Sequence, residues 1–323
     1  MGSRRGGWLI VCAFILAAAS AAAADLRLAI SATPLSAPVI IAVENGYFRQ
    51  YGLNPIPTYM QGGHRTLKAV LAGEADIATS SEAVVMFNAF ARSDFAVLCT
   101  FVSSDNDDKI LVLRDSRIAS VDDLRGKRVG TIRNAAAHFF LSQTLQLAGI
   151  PGSAVTIVGI DPENAGAGLE SGELDAVAVW EPHGYALTRR FGDRVVALPH
   201  DRAYIETFNA IATRAFIEGN PAAAEAVVRA LARAVEFIEA KPDQARATVA
   251  AALKQDPAVV QAIWRDLNFN VRLDQWLLTT LEAQAAWAKR EKLVDPAVSP
   301  NFLDFLSLRP LEKINAKAVT VYR

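Results

Sequence analysis

The stretch GKRVGTIRNAAAHFFL, residues 126–141, decides the fold. Val129 to Ile132 alternate like the end of a buried strand, and Ala135 opens an apolar, helix-favouring run that continues to Ala148. Thr131, Arg133 and Asn134 lie between, so a strand ends directly on a helix N-terminus. The first N–H groups of such a helix have no partner inside it and sit at the positive end of its dipole, which makes a ready anion pocket. Asn134 is placed to cap the helix, and Arg133 adds a fixed positive charge. A capped turn with a surface arginine is the competing reading, and the rest of the chain arbitrates.

Working outward, Ser120 and Asp123 form a capping-box pattern ahead of this strand. Val155 to Ile160 and Leu174 to Trp180 read as further strands, with a short helix over Glu163 to Ser171. An earlier unit has the same grammar. Strands fall at 26–30, 53–59, 74–79, 96–102 and 110–114, with helices at 39–50, 66–72 and 82–91. The prolines of 53–59 suit an edge strand. Strands separated by helices of this length imply βαβ units and largely parallel sheets. GEADIAT (73–79) and GELDAVAV (172–179) each place a glycine turn and an acidic pair before a buried strand, suggesting two sheets of similar construction. Ala203 to Arg214 is extended and could return the chain to the first sheet. The remainder reads as helical: Asn220-Pro221, Lys241-Pro242 and Asp256-Pro257 each put a proline at a helix start. The final long helix, from Leu273 to Arg290, packs through Trp276, Leu277, Leu281 and Trp287.

A chain of 323 residues is long enough for two domains. Residues 1–24 look like a secretory signal. Arg4 and Arg5 form the charged start, Trp8 to Ala19 an apolar run too short to span a bilayer, and Ala22-Ala23-Ala24 a cleavage site before Asp25. The general secretory route is favoured over twin-arginine export. Without the signal, 31 Lys and Arg stand against 34 Asp and Glu, a formal charge of −3, and Cys99 is the sole cysteine. No internal disulfide is then available. The scattered charges show no basic stripe, which argues against nucleic acid. The expectation is an exported, periplasmic monomer.

The chain resembles the periplasmic solute-binding proteins of ABC importers, in the nitrate/sulfonate/taurine-type group, and is also similar to thiamin-precursor-binding proteins. The residues that carry the likeness are APVIIAVENGYFRQYGL (37–53), LAGEADIATSSE (71–82), RDSRIASVDDLRGKRVGT (114–131), HFFL (138–141) and SGELDAVAVWEP (171–182). The resemblance implies an α/β, two-lobed periplasmic-binding-protein fold of type II, each lobe a mostly parallel sheet flanked by helices, with C-terminal helices. The expected division is signal 1–24, first lobe 25–114, second lobe 115–203, and 204–323 returning to the first lobe. The implied partners are one small-molecule ligand and a transmembrane ABC permease, with no cofactor. Where that family often has a Gly-Ser or Gly-Thr turn, this chain has Arg133-Asn134-Ala135, so the ligand's identity does not carry over.

In open parallel sheets ligands bind beyond the carboxyl ends of the strands, and two facing lobes put those ends in one cleft. The turns supply the candidates Ser36, Gly63, His64, Ser80, Ser81, Glu82, Arg133, Asn134, Ala135, His138, Trp180 and Glu181. Trp180, at a strand end before Glu181-Pro182, offers a flat wall with an N–H donor, against ordinary core packing. Ser80 and Ser81 either donate hydroxyls to ligand oxygens or cap a helix. Glu82 and Glu181 hold a ligand amine or favour helix starts. His138 faces the ligand or the sheet, and His64 follows the Gly62-Gly63 turn at a second helix start.

No GxSxG, GxxxxGK or CxxC motif occurs, and the four histidines lack paired metal spacing. The leading expectation is therefore a non-enzymatic binding protein for a small oxyanion such as a sulfonate, taurine or nitrate. A neutral heterocycle such as a thiamin-precursor pyrimidine is the alternative ligand. The competing class is a pyrimidine- or menaquinone-pathway enzyme on the same fold, which retention of Met1 in the cytoplasm would favour.

Overall fold

The computed structural model describes Gly2 and residues 23–322. The expected signal segment, Cys12 included, lies outside the described residues apart from Gly2, Ala23 and Ala24. Among the described residues no helix is long and apolar enough to cross a membrane.

Twelve strands are described: β1 (Ala24–Ser31), β2 (Leu53–Met60), β3 (Ile77–Ser81), β4 (Phe95–Ser104), β5 (Asp108–Leu113), β6 (Arg128–Thr131), β7 (Thr156–Gly159), β8 (Ala176–Trp180), β9 (Val195–Ala197), β10 (Glu206–Thr213), β11 (Leu267–Asp274) and β12 (Val319–Thr320). They form two sheets. One has the order β12-β11-β4-β10-β3-β1-β2 and the other β7-β6-β8-β5-β9. The cores of β3 and β8 are buried on both faces, as parallel strands covered by helices on each side must be. β2, with Pro55 and Pro57, is an edge, where a missing N–H costs no ladder bond. In the first sheet β10 runs against β3 and β4, and in the second β5 runs against β8 and β9. Each is the first strand laid down after the chain enters from the other lobe.

Several expectations need correction. Residues 110–114 were grouped with the first lobe, but β5 pairs with β8 and β9. The chain therefore crosses at residues 105–107, ahead of the expected boundary between 114 and 115. A short apolar run fits either sheet, and only its pairing decides. The second crossing, over residues 198–205, leads into β10 near the expected Ala203. The C-terminal region is not purely helical. β11 adds to β4 and β12 adds to β11. The last long helix begins at Gln275, capped by Asp274, whose Oδ1 accepts the Leu277 N–H at 3.1 Å. Leu277, Leu281 and Trp287 are buried, but Trp276, in the first turn of that helix, is 48% exposed. The capping box at Ser120 and Asp123 and the proline starts at 221, 242 and 257 are present as expected.

Candidate functional site between the lobes

Loops that leave β1, β2, β3, β6 and β8 meet between the two sheets. They enclose a cavity of about 20 Å³, bordered by Ser31, Thr33, Leu35, Gly63, His64, Ser81, Val84, Asp107, Ala135, Ala136, Trp180, Glu206 and Phe208. That is room for about one water-sized group. The lobes are shut on it. Thr33 Oγ1 donates to the Glu181 carbonyl at 3.3 Å, joining the first lobe to the second. Arg65 reaches across to Glu163 at 3.0 Å and Asp161 at 3.5 Å. The rings of His64 and Trp180 meet edge to face, with centroids 6.3 Å apart.

Local sequence explains this closeness. Gly62 has φ +85°, and a Cβ there would stand 3.2 Å from the Trp180 ring. At Gly63 a Cβ would lie 2.5 Å from Ser80 Oγ and 2.8 Å from Ser80 Cα. The glycine pair thus lets the helix Gly63–Leu71 start against β3 with its first N–H groups beside the cavity. The helix Ala136–Leu147 points its own N-terminus at the cavity from the second lobe.

Of the twelve candidates, the structure gathers Gly63, His64, Ser81, Ala135 and Trp180 around this cavity. Arg133 points elsewhere: its Nη2 donates to the Ile157 carbonyl of β7 at 2.6 Å. With His138 it borders a separate outer groove of about 650 Å³, alongside the helix Gln275–Arg290. Asn134 does not cap. Its backbone is left-handed, φ 59°, and Ala135 holds the cap position without a side-chain bond. The His138 ring packs edge-on against Trp287 at 5.2 Å, and burial drops its pKa to about 4. Ser36 and Ser80 serve the first lobe: Ser36 Oγ bonds Thr79 Oγ1 at 3.0 Å, and Ser80 Oγ donates to the Gly63 carbonyl at 2.8 Å. Glu82 is fully buried and accepts from Tyr204 Oη, the Thr207 N–H and hydroxyl, and Gln284 Nε2. Glu181 Oε2 accepts the Tyr185 N–H at 2.7 Å, securing the first turn of the helix His183–Phe191.

The residues that sequence reasoning missed are Asp107, on the first connection between lobes, and Glu206 and Phe208 on β10, where the second connection ends. The acid-rich run SSDNDDK (103–109), lying between two apolar strands, was the available signal. Burial raises the pKa of Asp107, Glu206, Glu82 and Glu181, and pushes Asp108 up to about 8. For Asp107 and Glu206 the neighbouring carboxylates raise it further. Lys109 is the nearby cation, 3.9 Å from Glu181 Oε1 and donating to the Asn106 carbonyl. Among the described residues no three His, Cys, Asp or Glu side chains converge as metal ligands do.

Two α/β lobes, joined by two connections and closed on a cleft lined by strand-end loops, define the periplasmic-binding-protein fold. The chain belongs to the NMT1/THI5-like family, whose profile matches residues 33–245. A relative from Escherichia coli K12, which carries the provisional name aliphatic sulfonates-binding protein, is 26% identical over 204 residues. The aligned stretch spans 63% of this chain and 63% of that relative's length. The crystal structure of the periplasmic aliphatic sulphonate binding protein from Escherichia coli superposes with a TM-score of 0.75 at 18% identity, covering 88% of this chain and 98% of the other. The periplasmic nitrate-binding protein from Synechocystis PCC 6803 gives 0.72 at 13% identity, covering 90% and 87%.

Proposed function

We propose that this chain is the extracytoplasmic solute-binding component of an ABC importer, capturing a small molecule between its lobes and presenting the closed form to a permease. The observation that carries the reading is the meeting of loops from both sheets on one cavity, latched by contacts between the lobes. Two connections restrict the motion to a hinge. A ligand drives closure only through its greater affinity for the closed form. The names of the relatives support this reading over an enzyme.

For the ligand, the two helix N-termini at Gly63 and Ala136 support an oxyanion of the sulfonate or nitrate kind. Arg133, the fixed charge on which that expectation leaned, is spent on β7 instead. The test is a thermal-shift panel combined with small-angle scattering. At a hundredfold excess over its Kd, a true ligand stabilises by about 2.7 kcal/mol. The same ligand should reduce the radius of gyration. Saturating binding with an unchanged scattering profile would rule out capture by closure.

A further inference from the structure

Asp107 and Glu206 both border the inter-lobe cavity, and they are only 3% and 4% exposed. Neither oxygen of Asp107 has a hydrogen-bond partner, nor does Glu206 Oε2, and both oxygens of neighbouring Asp108 are likewise unpartnered. Buried carboxyl oxygens almost always find donors, because dehydration without a partner is costly. Here the oxygens without donors border the cavity between the lobes.

The groups around the pair compound the imbalance. Asp108 on β5, Glu181 beyond β8 and Glu82 at the end of β3 are all acidic, and the Tyr204 phenol is already given to Glu82. Among the described residues Lys109 is the cation that acts on Asp107, and it is engaged by Asn106 and Glu181. On the remaining sides stand the aromatic groups Trp180, Phe208 and His64, the last with Nδ1 also unpartnered. Aromatic faces beside carboxylates favour positive nitrogen. A recess of about 20 Å³ suits one such head group.

We propose that the cleft takes a small organic cation, its ammonium or amidinium nitrogen seated between Asp107 and Glu206 beside Trp180. This rests on the solute-binding reading above but not on its oxyanion: at the same site the orphaned carboxyls outweigh the two helix N-termini and reverse the sign of the ligand. The N–H groups of the cation supply the donors that the orphaned oxygens lack. Its charge lets the carboxyls ionise inside the closed cleft, so binding releases protons and tightens as pH rises from 6 to 8.

The test is calorimetry and thermal shift with benzamidinium, butylammonium, butanesulfonate and nitrate at matched ionic strength, with scattering on each. The cations should bind with a buffer-dependent enthalpy that reports proton release, and the anions should bind at least tenfold more weakly. Asp107→Asn and Glu206→Gln should each weaken cation binding tenfold or more. The unliganded melting temperature should hold or rise, the reverse of losing a structural salt bridge. Binding of butanesulfonate or nitrate with contraction, and no binding of the cations, would overturn the cation assignment and leave the solute-binding reading intact. Cation binding unaffected by either substitution would overturn it too. No binding and no contraction with any probe would count against both.

Discussion

Asp76 holds Arg27 through both backbone and side chain: its Oδ2 accepts the Arg27 N–H at 2.8 Å, and its Oδ1 accepts Nη2 at 2.6 Å. The second lobe repeats the arrangement. Asp175 Oδ2 accepts the Arg128 N–H at 2.8 Å and Oδ1 accepts Nη2 at 2.9 Å. Each guanidinium also donates at 2.7 Å to the carbonyl of the turn glycine, Gly73 or Gly172. Each aspartate N–H returns a 2.9 Å bond to the arginine carbonyl. The motif GE-x-D thus ties the start of one strand to an arginine of its neighbour, once per lobe.

Asp76→Asn and Asp175→Asn should therefore destabilise their lobes alike, by about 1–2 kcal/mol each at pH 7, as expected for charge-assisted bonds with partly exposed partners. The hydrogen bond from Arg128 holds Asp175 below the ordinary carboxylate range, so its contribution is present above that range and is lost as pH falls beneath it. Chemical denaturation at pH 7 and pH 3 checks this: the Asp175→Asn deficit should be seen at pH 7 and shrink at pH 3.

The latch from Arg65 to Glu163 and Asp161 is exposed, so it should tune closure weakly. Arg65→Ala is expected to cost about 0.3–1 kcal/mol, or roughly two- to fivefold in ligand Kd, with the difference fading at high salt. Titrations at low and high ionic strength measure both effects.

Trp180→Ala should abolish most of the ligand-induced thermal shift, whereas Arg133→Ala should leave it intact. Trp180 borders the cavity and Arg133 faces the Ile157 carbonyl. Equal loss in both variants would contradict the cavity assignment.

Unliganded stability should fall as pH rises from 6.5 to 8.5. Asp108, pushed up to about 8 by burial, keeps its proton in the folded protein over most of this range but ionises when it unfolds, and burial and neighbouring carboxylates shift Asp107 and Glu206 in the same direction. The unfolded chain then binds fewer protons, giving a slope of up to about −1.4 kcal/mol per pH unit from Asp108. Below pH 6.5 the trend is opposed, because His64, His138, His183 and His200 are held neutral by burial and protonate on unfolding. Melting curves across this range test the sign, and Asp108→Asn should flatten the upper limb.

Gly63→Ala should cost about 2 kcal/mol or more, since the new Cβ meets the backbone of Ser80 and not a movable side-chain end. Urea unfolding measures it, and a neutral result would show that the helix start can move away from β3.

Periodicity and capping made the two lobes legible. The strand–helix alternation, the Pro-rich edge β2, the capping box at Ser120 and the paired GE-x-D turns are local signals, written within a few residues of the structure they produce. Trp180 and Gly63 were legible as cleft residues because strand ends and glycine turns mark where parallel sheets leave room. The sheet to which β5 belongs and the strand β11 were not, since strand pairing joins segments tens of residues apart. The direction of Arg133 was decided by the Ile157 carbonyl, 24 residues away, and the isolation of Asp107 and Glu206 by the closing of one lobe on the other. Charge in a sequence is a property of residue type. Whether that charge meets a ligand, a neighbour or nothing depends on burial and partners, which only the tertiary structure supplies.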